Sequence, residues 1–82
     1  MVDFKEAYKI AKSLKENIDN CSEYTDAYIF GFSGDDDYCG GYGHTPVVVL
    51  KESGESVNMP WYITSMDGEF IRDIEIGEEL AM

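Results

Sequence analysis

Within residues 2–18, VDFKEAYKIAKSLKENI, the apolar side chains Phe4, Ala7, Tyr8, Ala11, Leu14 and Ile18 recur at intervals of three and four. On a helix of 3.6 residues per turn this spacing gathers them on one face. Lysines and glutamates take the other side, with Lys12 and Glu16 one turn apart. Asp3 and Glu6 near the start, and Lys12 and Lys15 towards the end, suit the helix dipole. A helix with one apolar stripe must bury it against another layer, and a chain of 82 residues offers few choices. At that length the whole chain, residues 1–82, is a single domain. It has room for one helical layer on one sheet and little for a deep enclosed pocket.

The rest of the chain reads as strands joined by short turns. After turn-forming residues in DNCSEYTD (19–26), the run AYIFGF (27–32) is rich in aromatic and β-branched residues and predicts a strand. A glycine-rich loop separates it from VVVLK (47–51). The short link ESGE then turns that strand towards SVNMPWYITS (56–65), which predicts a hairpin. Pro60 lacks an N–H, so it implies a bulge, an edge position or an early end to the second arm. MDGE makes another turn, and FIRDIEI (70–76) alternates as a last strand; GEELAM at the end carries no clear pattern. The expected architecture is α+β: an N-terminal amphipathic helix packed on one face of an antiparallel sheet of about four strands. The other face of such a sheet is ordinarily solvated. Phe4, Tyr8, Ala11, Leu14 and Ile18 are the expected helix-side core, and Val47, Val49, Val57, Ile63, Ile71 and Ile74 the expected sheet-side core.

The formal net charge is −11, and it is unevenly placed. Residues 1–19 balance four acids with four lysines, whereas thirteen acids after them face only Lys51 and Arg72. This disfavours nucleic acid, whose phosphates need Lys and Arg, and disfavours an anionic membrane surface. An acidic field serves solubility or meets a basic partner. No stretch is long and apolar enough to predict a membrane span or a signal peptide, so a cytoplasmic location is expected. There Cys21 and Cys39 are expected as free thiols.

The densest polar chemistry lies in FSGDDDYCGGYGHTP. A calcium loop starting at Asp35 would place its glycine correctly at Gly40, but Cys39 and Pro46 stand where the fifth and twelfth positions need oxygen ligands. Cys39 and His44, with Cys21 if the fold brings it near, could supply three zinc ligands, but there is neither a paired short spacing nor a second histidine. A Cys39–His44 nucleophile is disfavoured because three neighbouring aspartates raise a thiol's pKa. GGYG lacks the order of a phosphate-binding loop and has no lysine. No metal, cofactor or catalytic role is therefore expected, and with one histidine and no motif the chain is not expected to be an enzyme. A loop acidic at one end and aromatic at the other suits contact with a partner.

With the helix, the strand YIFGF and the stretch GGYGHTPVVVLKESGESVNMPWY in view, the chain resembles the immunity protein 35 family of bacterial polymorphic toxin systems. The most characteristic part is GHTPVVVLKESGE, in which a proline opens a β-branched strand that ends in a Lys-x-x-Gly turn. The resemblance implies a cytoplasmic protein that neutralises a toxin by binding it, and it brings no catalytic residues. A propeptide-like inhibitor or chaperone module of a protease is the alternative. Independently of the resemblance, an acidic protein would meet a basic toxin quickly through electrostatic steering. The expected partner surface comprises Asp35, Asp36, Asp37, Tyr38 and Tyr42 of the loop, with Trp61 and Tyr62 beside it. Trp61 suits either a core or an interface position.

Overall fold

A computed structural model describes residues 1–14, 18–31 and 46–81. Its elements run α1 (Phe4–Leu14), β1 (Asn20–Tyr24), β2 (Ala27–Gly31), β3 (Val47–Leu50), β4 (Ser56–Val57), α2 (Met59–Ser65), β5 (Phe70–Ile74) and α3 (Ile76–Ala81). The strands form one antiparallel sheet in the order β4-β3-β2-β1-β5. The fold is α+β, as the sequence pattern implies, and the sheet of about four expected strands has five among the described residues.

α1 begins where Asp3 caps it: the carboxylate accepts from the Glu6 N–H at 2.9 Å, and the Asp3 carbonyl accepts from the Ala7 N–H. Phe4, Ala7 and Ala11 turn inwards and are buried, while Tyr8 is half-buried. The two alanines have no exposed surface, and their small side chains let the helix lie close to β2 and β3. The Phe4 ring meets Tyr28 edge-on with centroids 5.9 Å apart and lies 5.9 Å from Phe30. Cys21, Val49, Ile74 and Ile76 complete this core, with Val47 and Ile18 packed against it.

The other face of the sheet is also covered. Ala27, Ile29 and Val48 are buried there beneath Tyr62 of α2, with Met59, Met66 and Val57 around them. The expectation of a solvated second face therefore fails, because SVNMPWYITS supplies only a two-residue strand before it becomes a helix. Asn58 is the N-cap, its Oδ1 accepting from the Trp61 N–H at 2.7 Å, and Pro60 sits in the first turn. Proline costs no hydrogen bond there, and its fixed φ suits the helix. Pro60 does mark an early strand end, one of the three outcomes it implied.

Three expected core residues are exposed. Leu14, at 60% exposure, ends α1 on a side of the last turn that the described residues do not cover, although Ala11 in the same turn is buried. Helical periodicity fixes a direction, whereas burial needs a layer within reach. Ile63, 65% exposed, belongs to α2 instead of a strand. Ile71 and Ile74 are three residues apart and cannot share a face of a two-residue repeat. Ile74 is buried, and Ile71, 48% exposed, is the extra residue where Glu23 pairs with Arg72 but Tyr24 pairs with Phe70. Val57 is half-buried on the α2 face and not on the α1 face.

Besides α2 and α3, the latter starting at Ile76 inside the expected last strand, the sequence pattern missed β1. Its residues read as turn formers, yet it lies between β2 and β5 with Cys21 opposite both Phe30 and Ile74. The β3–β4 hairpin is present as expected, closed by Gly54 N–H donating to the Leu50 carbonyl. Gly54 has φ +75°, and a Cβ there would lie 2.9 Å from Val2, so both conformation and packing require glycine. Replacing Phe30, which has no exposed surface, by alanine should cost about 3–5 kcal/mol, whereas Leu14→Ala should cost less than about 1 kcal/mol. Urea denaturation of the two variants measures the difference.

Candidate functional site

The expected partner residues separate once the chain is folded. Asp35, Asp36, Asp37, Tyr38 and Tyr42 lie outside the described residues, as do Cys39 and His44. Trp61 and Tyr62, adjacent in sequence, lie about 100° apart around α2 and differ in burial. Trp61 is 43% exposed, whereas Tyr62 is 4% exposed and belongs to the core. Tyr62 is therefore not a surface contact. Its hydroxyl donates a short hydrogen bond to Asp26 Oδ1, and its ring meets Tyr24 edge-on at 6.0 Å. Burial, and then the Asp26 hydrogen bond, push its pKa well above that of an ordinary tyrosine, so it stays a neutral donor.

Trp61 overlooks an open hollow of about 530 Å³, lined chiefly by Leu14, Pro46, Val47, Val57 and Asn58, with Glu55 as its acid. The unburied Leu14 thus lines a recess shared with the indole. Pro46 is the first described residue after the acidic and aromatic loop, so the recess adjoins the exit of that segment. Because Glu55, Ser56 and Asn58 share the lining with the apolar residues, the hollow suits an inserted side chain with an apolar body and a polar or cationic tip.

A second feature was not legible in the sequence: an ionic cluster around Glu23. Lys51 Nζ donates to Glu23 Oε2 at 2.7 Å, and Arg72 Nε donates to Glu23 Oε1 at 3.0 Å. Arg72 also reaches Glu79 at 3.3 Å. The Lys51 ammonium lies 4.9 Å from the centre of the Tyr28 ring, which adds a cation–π contact. Lys51 and Arg72 are the two cations in the chain after Lys15, and one glutamate of β1 engages both. Glu23 approaches Lys51 across 28 positions of sequence and Arg72 across 49, distances at which spacing carries no signal.

The hydrogen bond from Lys51 holds Glu23 below the usual glutamate pKa despite partial burial. Burial, reinforced by Glu23, pushes the Cys21 thiol up to about 12, so it stays protonated and unreactive at neutral pH. Among the described residues, no three His, Cys, Asp or Glu side chains are grouped to hold a metal ion. Among them, too, no helix is long and apolar enough to cross a membrane. Compared with protein-family models, curated proteins and solved structures, the chain matches none.

Two measurements check this arrangement. Trp61→Ala should leave the denaturation midpoint nearly unchanged, while Tyr62→Ala should cost about 3–5 kcal/mol by opening the α2 face. The lowered Glu23 pKa means that its charged partners stabilise the fold above the carboxylate's unfolded pKa. That contribution is lost as pH falls through the lower folded value. Glu23→Gln should therefore be less stable than the parent near pH 7, with the gap closing as the pH drops well below 4.5, in urea denaturation across pH.

Proposed function

We propose that the protein is a non-enzymatic immunity protein that binds a basic toxin domain and neutralises it in the cytoplasm. The observation that carries this reading is the distribution of charge. Thirteen acids follow residue 19, and the two cations among them, Lys51 and Arg72, are both engaged by Glu23. Among the described residues Glu52, Glu55, Asp67, Glu69, Asp73, Glu75 and Glu78 are exposed, and such an acidic surface favours a cationic partner and speeds encounter with it. Trp61 over its recess supplies what charge alone does not, a desolvated anchor of the kind that dominates interface energetics. The resemblance of GHTPVVVLKESGE to the immunity family points the same way.

In this reading Asp35, Asp36, Asp37, Tyr38 and Tyr42 act with Trp61, and Tyr62 drops out as part of the core. Rim carboxylates govern association, and the buried anchor governs dissociation. The test is binding to the toxin encoded beside the protein's own gene, followed by surface plasmon resonance. Replacing Asp35–Asp37 by asparagine should slow association and flatten its salt dependence. Trp61→Ala should speed dissociation by roughly 30-fold, the equivalent of about 2 kcal/mol. Growth arrest by that toxin to the same extent with and without this protein would overturn the proposal.

A further inference from the structure

The sheet has two edges, and they differ. β4 is only two residues long, whereas β5 offers five, and its outer side meets no sixth strand among the described residues. Phe70 to Asp73 are all exposed, with Phe70 at 54%. An open edge presents backbone N–H and C=O groups that another extended chain can pair with. Asp67, Glu69, Asp73, Glu75 and Glu78 are exposed along and beside it. Arg72, the strand's one cation, is held by Glu23 and Glu79.

We propose that β5 takes an extended basic segment of a partner protein as a sixth strand of the sheet. The regular run Arg72–Ile74 supplies the backbone pairing, and Phe70 and the extra residue Ile71 add apolar contact. Carboxylates on either side select Lys or Arg at alternate positions of the incoming strand. A second copy of this chain is the wrong occupant on charge. Self-pairing would set this acidic edge against an identical one, each on a chain of net charge −11. Edge charges and a bulge are the devices by which sheets avoid pairing with their own kind. Towards a basic strand the sign of the charge term reverses, and the edge becomes selective. The proposal does not depend on the toxin reading, and its test uses no toxin.

The test is a ¹⁵N NMR titration of the full chain with an acetylated, amidated heptapeptide alternating lysine and valine. Two control peptides accompany it, one with glutamate for lysine and one N-methylated on alternate backbone nitrogens. Binding of the lysine peptide should shift the amides of β5 and β1, slow exchange at the outward β5 amides about tenfold, and weaken as salt rises. The glutamate and N-methylated peptides should leave β5 unshifted. Asp73→Lys combined with Glu75→Lys should weaken the lysine peptide about tenfold in a protein whose spectrum stays dispersed. The proposal is overturned if the lysine peptide leaves β5 unshifted. Equal binding of either control peptide overturns it too, as charge contact alone or indifference to charge. Self-association with β5 shifts, seen on concentrating the protein by itself, would assign the edge to a second copy.

Discussion

The structure depends on a strand that is buried on both faces. All five residues of β2 are buried, with Tyr28 and Phe30 turned to α1 and Ala27 and Ile29 turned to α2. A strand in that position needs a cover on each side, and neither helix could bury its own apolar stripe without the sheet. α1 comes close because alanines occupy two of its inward positions. α2 comes close because Tyr62 satisfies its hydroxyl on Asp26 while its ring lies over the sheet. At 82 residues the domain has little apolar area to spare, so the second cover matters to its stability.

The ionic cluster is tied to the same layer. Glu23 stands opposite Tyr28 in the β1–β2 pair and opposite Arg72 in the β1–β5 pair. Lys51 follows β3, and its ammonium lies against Tyr28 and Glu23 together. One carboxylate therefore links the end of the β3 strand to the edge strand across the sheet. The consequence for function is electrostatic. Lys51 and Arg72, the two cations after Lys15, are both held within this cluster.

The two candidate contact regions follow from what the layers leave uncovered. The recess of Leu14 and Trp61 exists because α1 extends past its cover and α2 turns its indole outwards. The β5 edge exists because the last strand joins the sheet beside β1 and not beside β4. Both are by-products of topology, and both carry apolar side chains that a pattern-based reading assigns to the core.

The sequence by itself determined the elements whose signal is local. The α1 stripe, the Gly54 turn, the β3 strand and the run that becomes β2 follow from periodicity and turn chemistry within a few residues. The two-sided burial of β2 and the helix that starts after Asn58 lie outside that local reading, which gives a solvated second face and a hairpin arm. Only the tertiary structure decided the rest. β1 is polar and gains its strand from partners on both sides, and Glu23 finds its cations across the chain. Whether Leu14, Ile71 or Trp61 is buried depends on which element lies within reach. Periodicity says which way a side chain points, and only the packed neighbours say whether anything is there to meet it.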